Sequence, residues 1–351
     1  MGAYYMRVIS GEARGIGANA WRGALRVAEV GFAAVVTLRN ALYDRGVLSA
    51  ADLGRPAISV GNITAGGTGK TPVVQWLARN LQAAGRRPAV LLRGYTRGGG
   101  MSDEAALLEE SLPGVRVVAD ADRQRGAAAA LVADGAIDCF LLDDGMQHRR
   151  ARRQGELVLI NARAPFGIGH LHPRGLLREP LASLRRATAV LITHASEVSA
   201  GEVDALQQRL REHTEAPIFH CDHRHAGLVS EAGAEALERL EQERFLAFAG
   251  IGNPASLERA LEGYGDRYAG FVSFADHHAY TADDLQRLES ECLARGASVL
   301  VTTEKDWVKL RCLPRCQQLN LWRLQLGVTF WEGEEGVLLR LLCEAIAARR
   351  N

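Results

Sequence analysis

Lysine is scarce in this chain. Of 42 basic residues among 351, only Lys70, Lys305 and Lys309 are lysines, and the rest are arginine. Against that background each lysine asks for a reason. A charge excess of one sign is also missing: 42 basic residues face 41 acidic ones, for a net charge of +1. A protein that grips nucleic acid along its backbone needs a marked basic surplus, so that class is excluded. Cysteines are few and scattered, at Cys139, Cys221, Cys292, Cys312, Cys316 and Cys343. They fit buried reduced thiols rather than a disulfide framework, and Cys312 and Cys316 have no second pair at zinc-finger spacing. Long apolar runs are absent as well. The longest near the start is Val30 to Leu38, nine residues, where a bilayer span needs about 20. Met1 to Ala20 lacks the sustained apolar core of a cleavable signal peptide. What remains, 47% hydrophobic and 24% charged residues, is an ordinary globular composition long enough for two domains.

A helix is expected over residues 21–43. It carries Trp21, Leu25, Phe32, Val35 and Val36 among Arg22, Arg26, Arg39 and Arg45. Apolar residues with arginine flanks suit a helix lying on a membrane surface, and equally one packed on the core. Short apolar runs then alternate with helical stretches: Ala57–Val60, Ala89–Leu92, Val115–Val118, Cys139–Leu142, Leu157–Ile160 and Ala189–Ile192. Continuous runs of this kind indicate an α/β protein with a parallel sheet covered on both faces. Cys221-Asp-His223-Arg-His225 reads as a polar turn after a strand. Beyond it the alternation restarts. An N-terminal amphipathic helical region over 1–50, part of the first domain, is expected to precede an α/β/α sandwich over 51–220 and a smaller one over 221–351, with the last helix packing back on the first domain.

Thr64-Ala65-Gly66-Gly67-Thr68-Gly69-Lys70-Thr71 lies between a predicted strand and a predicted helix. Glycines there let backbone N–H groups converge on phosphate oxygens, and the helix directs its positive end at the anion. Lys70 can reach the β- and γ-phosphates and the Thr71 hydroxyl can bind Mg²⁺. The usual first glycine of the eight-residue pattern is replaced by Thr64. Phe140-Leu-Leu-Asp143-Asp144 has the form of the companion strand whose terminal carboxylates organise the metal.

Three classes share these parts. A positioning ATPase would carry a second lysine where Ala65 stands. A GTPase would carry Asn-Lys-x-Asp, and no Asn-Lys pair occurs. An ATP-using enzyme remains, most simply a kinase, with a membrane-acting GTPase or positioning ATPase as the alternative. With Arg93-Gly-Tyr95, Asp103-Glu104, Asp143-Asp-Gly-Met-Gln147-His148, Gly175-Leu-Leu-Arg178-Glu179-Pro180, Gly250-Ile-Gly-Asn-Pro254, Asp276-His277-His278 and Thr303-Glu-Lys-Asp306 in this order, the chain resembles the tetraacyldisaccharide 4′-kinase family. Ser102 and Ala105 depart from the family's usual neighbours of Asp103-Glu104.

The resemblance implies transfer of the ATP γ-phosphate to the 4′-hydroxyl of a tetraacyl glucosamine disaccharide 1-phosphate. It places the enzyme peripherally at the cytoplasmic face of the bacterial inner membrane, and it inclines the N-terminal helix toward the bilayer. It also implies Asp103 as the base for the acceptor hydroxyl, paired with His277, beside Lys70. Asp143, Asp144 and Glu104 would join Thr71 around Mg²⁺. Arg123 and Arg178 are candidates for phosphate contact, with Gln147 and Glu179 beside them. No obligate protein partner and no nucleic acid is expected. Lys305 falls in a motif without an evident role, and Lys309 reads as an ordinary surface charge.

Overall fold

The computed structural model describes residues 3–94, 102–230, 233–235, 237–252, 254–276 and 278–348. These form two units: 3–94, 112–223 and 329–348 make the first, and 102–111 with the described residues of 224–328 make the second. A single boundary near residue 220 therefore does not describe the chain. Residues 102–111 belong with the second unit, and the final helix returns to the first.

The first unit begins with α1 (Ala3–Ile9) and α2 (Ile16–Asp44). Then follow β1 (Ala57–Asn62), α3 (Lys70–Ala83), β2 (Pro88–Leu92), β3 (Arg116–Ala119), α5 (Arg123–Ala133), β4 (Cys139–Asp143), β5 (Gly155–Asn161), β6 (Ala189–Thr193), α6 (Ala200–Arg211) and the start of β7 (Ile218–Ser230). Helix α4 (Asp103–Ser111) lies between β2 and β3 in sequence but belongs to the second unit. The seven strands run in the order β7-β6-β5-β1-β4-β2-β3, with every pairing parallel. Residues of β1, β2, β4 and β6 are buried throughout, which is why they read as unbroken apolar runs rather than as alternation. Ala57, Leu91, Phe140 and Leu142 pack against Ala127 and Ala130 of α5. Val158, Ile160, Val190 and Ile192 pack against Leu206 and Leu210 of α6. Helix α10 (Glu334–Ala347) packs on α3, β1 and β5. Cys221, His223 and His225 lie within β7 rather than in a turn; their alternation with polar partners hid a strand.

In the second unit, β9 (Phe245–Ala249), β10 (Tyr268–Ser273), β11 (Val299–Thr303) and β12 (Leu321–Phe330) run parallel in the order β10-β9-β11-β12. The short β8 (Gly233–Glu235) pairs antiparallel with the end of β7. Alternate residues of β9 serve opposite faces. Leu246 and Phe248 meet Leu285 and Leu288 of α8 (Ala282–Ala294). Phe245 and Ala247 meet Leu257 and Leu261 of α7 (Pro254–Glu262). Each unit is thus an α/β/α sandwich. Helix α9 (Glu304–Leu310) follows β11, capped by the Thr303 hydroxyl.

Helix α2 corrects the expectation for its own faces. Ala18, Leu25, Glu29, Val36 and Asn40 are its buried residues, and at 100° per residue they form one ridge about 60° wide. Leu25 packs with Val8, Ile9 and Ala18. Glu29 accepts from the Leu171 N–H (2.9 Å) and Asn40 donates to Glu179 (2.8 Å). Leu25 and Val36 therefore face the core and are not membrane contacts. Phe32 is half-buried, edge-on to the His172 ring. The exposed side is apolar: Trp21, Val27, Val30, Val35 and Leu38 stand in solvent.

Gly61, at the end of β1, lies under the turn that follows β4. A Cβ there would sit 2.6 Å from Met146 Cβ and 2.7 Å from its backbone nitrogen. Gly61→Ala is therefore expected to shift the turn carrying Asp144 and Gln147 and to cost about 1–3 kcal/mol. A urea midpoint equal to that of the unaltered protein would contradict this.

Candidate nucleotide-binding site

The phosphate loop leaves β1 at the carboxyl edge of the first sheet and enters α3. In open α/β sheets ligands bind at this edge, where the strand order reverses; here β1 has β4 on one side and β5 on the other. The loop is strapped from outside. The Ala65 N–H donates to the Leu176 carbonyl (2.6 Å), the Arg178 N–H to Ile63 (2.7 Å) and the Asn62 side-chain amide to the Thr64 carbonyl (2.8 Å). Thr64 can stand in for the first glycine because its backbone is bridged to Leu177 and its side chain is buried. Gly66 and Gly69 adopt φ values of 129° and 74°, where a side chain would be strained.

Lys70 opens α3 and turns back over the loop. Its ammonium lies 3.2 Å from Asn62 Oδ1 and 3.3 Å from Asp144. Asp144 also accepts from Arg178, at 3.0 and 2.9 Å. Arg178 in turn donates to Gln147 Oε1 (3.3 Å), while the Gln147 amide donates to the Asn62 carbonyl (2.8 Å). The ring of partners closes on the strand that carries the loop. Burial alone would raise the Asp144 carboxyl, but Lys70 and Arg178 overcome it and hold it below the usual carboxylate range. Asp144 has φ 51°, an unusual value for a residue other than glycine, found where surrounding structure enforces it.

Several expected phosphate contacts have other duties. Arg123 is buried, and its guanidinium donates to the Asp120 carbonyl (2.7 Å) and the Asp143 carbonyl (3.1 Å). It fixes the end of β4, and burial lowers its pKa to about 10. Glu179 is fully buried, held by Arg186 (2.9 and 3.1 Å) and Asn40. It anchors α2. Asp103 and Glu104 start α4 in the second unit, and His277 lies outside the described residues.

His223, expected in a polar turn, lies in β7 and holds the phosphate loop. Its Nε2 donates to the Gly69 carbonyl (3.1 Å), its ring leans on His194 at 4.7 Å, and a Cβ on Gly69 would overlap it. The Thr193 hydroxyl and the Asn161 amide hold the carbonyls of Thr68 (3.2 Å) and Gly67 (3.3 Å) in the same way. These contacts hold the carbonyls of the loop, and a glycine loop held by its carbonyls suits an anion through its amides.

Thr71, Asp143 and Asp144 offer only hard oxygen donors, the set that suits Mg²⁺. Among the described residues no cluster of three His, Cys, Asp or Glu side chains forms a metal cage. That is the usual situation where one or two carboxylates share the ion with substrate phosphates.

Strand order, a strapped glycine loop and a lysine answered by a strand-end carboxylate define a P-loop nucleotide-binding enzyme. The family model for tetraacyldisaccharide-1-P 4′-kinase matches residues 21–346. The tetraacyldisaccharide 4′-kinase of Anaeromyxobacter dehalogenans strain 2CP-C is 42% identical over 310 residues, covering 82% of this chain and 80% of its own. That of Syntrophus aciditrophicus strain SB is 39% identical over 318 residues, covering 80% and 83%. The crystal structure of LpxK from Aquifex aeolicus in complex with ATP superposes with a TM-score of 0.74 at 29% identity, over 93% of this chain and 99% of that one. The chain belongs to the tetraacyldisaccharide-1-P 4′-kinase family.

Two half-buried imidazoles make the site acid-sensitive. Burial, with nearby Arg123, lowers His148 to about 4; burial, with His194, lowers His223 to about 4. Between pH 6.5 and about 4 the unfolded chain binds protons at these positions and the folded one does not, so stability falls as the pH drops through that window. His223→Gln is expected to flatten the dependence of the urea midpoint on pH between 6.5 and 4; an unchanged slope would count against a neutral His223 in the fold.

Proposed function

We propose that this chain transfers the γ-phosphate of Mg²⁺-bound ATP to the 4′-hydroxyl of a tetraacyl glucosamine disaccharide 1-phosphate at the cytoplasmic face of the bacterial inner membrane. The observation that carries the reading is the Lys70 ammonium poised over the phosphate loop and held 3.3 Å from Asp144. When a triphosphate enters, its β/γ oxygens compete for that ammonium. Arg178, one-third exposed and bonded to Asp144 through Nη1, has further N–H groups for a phosphate oxygen. Of the loop residues Thr64 to Gly69, Gly66 to Gly69 supply the backbone amides, the Ala65 N–H being engaged by the Leu176 carbonyl.

Thr71, Asp143 and Asp144 would hold Mg²⁺, with Glu104 as a further carboxylate. Bound there, the ion neutralises phosphate charge. The acceptor oxygen forms its bond to the γ-phosphorus as the bond to the β–γ bridging oxygen breaks, and ADP leaves. The hydroxyl proton passes to Asp103, with His277 as its partner. In a loose transition state the proton departs late, so a carboxylate serves by position more than by basicity. The GTPase and positioning-ATPase alternatives lack their marks, Asn-Lys-x-Asp and a lysine at Ala65.

An acylated substrate has to be reached at a lipid surface. Val27, Val30, Val35 and Leu38 stand exposed on α2 within an arc of about 140°, opposite its buried ridge. An apolar face of this kind suits burial at the headgroup boundary, with the flanking arginines toward anionic lipid. No described helix is long and apolar enough to cross a membrane.

With ATP labelled at the γ-position and the disaccharide 1-phosphate in detergent, label is expected in the lipid. Preferential GTP turnover with an untouched disaccharide would overturn the reading. Lys70→Ala is expected to lower turnover by about a thousandfold or more, and a loss under tenfold would remove its assigned role. Val27→Asp with Leu38→Asp is expected to release the protein from anionic vesicles without lowering its thermal midpoint; undiminished sedimentation with lipid would discard the α2 docking face.

A further inference from the structure

The motif Thr303-Glu-Lys-Asp306 and the third lysine were left without a task, and the second unit supplies one. We propose that α9 is the platform that positions Asp103, with Lys309 as its charged positioning residue. This rests on the reading of Asp103 as the acceptor base and deepens it.

The start of α9 is fixed by its own motif. Asp306 is fully buried, and its carboxylate accepts from the Gly250 N–H (3.1 Å) and from the Thr303 hydroxyl (2.7 Å). Thr303 Oγ1 in turn accepts from the Asp306 N–H (3.2 Å) and caps the helix. Lys305 is exposed and takes no part. A helix pinned this way presents its remaining side chains in fixed directions.

Those side chains receive α4. Val308 packs with Ala106 and Leu107. Glu110, in the last turn of α4, accepts from the Trp307 indole (2.7 Å) and from Arg311 (2.8 Å), and it also pairs with Arg323 of β12. At the opposite end of α4 the Lys309 ammonium lies 3.6 Å from Asp103 Oδ2. Lys309 is mostly covered, while the Asp103 side chain stays open at 43%. The carboxylate is thereby oriented by Lys309 while its side chain keeps contact with solvent, the orientation by a fixed neighbour that a group meeting an incoming hydroxyl needs.

The choice of lysine fits this duty in a chain that elsewhere prefers arginine. A guanidinium grips a carboxylate with two parallel hydrogen bonds; an ammonium is a point charge that steers the group without that bidentate grip.

The test is steady-state kinetics with Mg²⁺-ATP and the lipid disaccharide on Lys309→Met, Lys309→Arg, Asp103→Ala and the pair Asp103→Ala with Lys309→Met. Lys309→Met is expected to lower kcat by about tenfold or more, with the KM for ATP within about twofold and the thermal midpoint unchanged. Lys309→Arg should recover part of that loss. In the Asp103→Ala background, adding Lys309→Met should change the residual rate by less than about twofold, because the two act as a unit. If Asp103→Ala is inactive while Lys309→Met matches the unaltered enzyme, or if Met and Arg lose equally, the platform role of Lys309 is wrong. If Asp103→Ala keeps full kcat, the base assignment itself fails. Should Lys309→Met not fold, Lys309→Gln provides the same comparison with a hydrogen-bonding side chain.

Discussion

The carboxylate of Asp144 is the constraint on which the first unit's site depends. It stands just past the end of β4 in a left-handed backbone conformation and collects two cations, Lys70 from the phosphate loop and Arg178 from the strap that binds the loop's start. Gln147 closes the circuit back to Asn62 at the end of β1. Removing a buried carboxylate's partners leaves a desolvated charge, so each member holds the others in place.

Scarcity of lysine has a physical counterpart in how differently the three are used. Lys70 sits where a compact ammonium has to pass over a backbone loop, and Lys309 beside a half-exposed carboxylate. Arginine is used where a carboxylate is to be locked: Arg186 on Glu179, Arg125 on Asp120, Arg185 and Arg149 on Asp44. These are structural pairs, and their geometry consumes both carboxylate oxygens or buries them.

The parallel strands were legible because burial on both faces writes an unbroken apolar run, as in Ala57–Val60 and Ala189–Ile192. The phosphate loop and Asp143-Asp144 were legible because glycine freedom, a lysine and strand-end carboxylates coincide in one place. Strand β7 was not, since Asp222, His223, Arg224 and His225 interrupt its apolar pattern, and His223 holds the phosphate loop through a contact far apart in sequence. The faces of α2 were misassigned because the helix packs by its ridge with Glu29 and Asn40, satisfied by long-range hydrogen bonds that no local pattern encodes. Arg123 and Glu179 looked like ligand contacts for the same reason: their partners, the Asp143 carbonyl and Arg186, are fixed by the tertiary structure. The assignment of α4 to the second unit was equally hidden, since its anchors on α9 lie about two hundred residues further along the chain.

The account's central claim is that Asp144 competes with phosphate for Lys70. Calorimetric titration of ATP into the unaltered protein and into Asp144→Asn, each with and without Mg²⁺, tests it most directly. The account predicts that Asp144→Asn binds metal-free ATP more tightly than the unaltered protein and gains less from added Mg²⁺. Equal or weaker metal-free binding by a folded Asp144→Asn would contradict it.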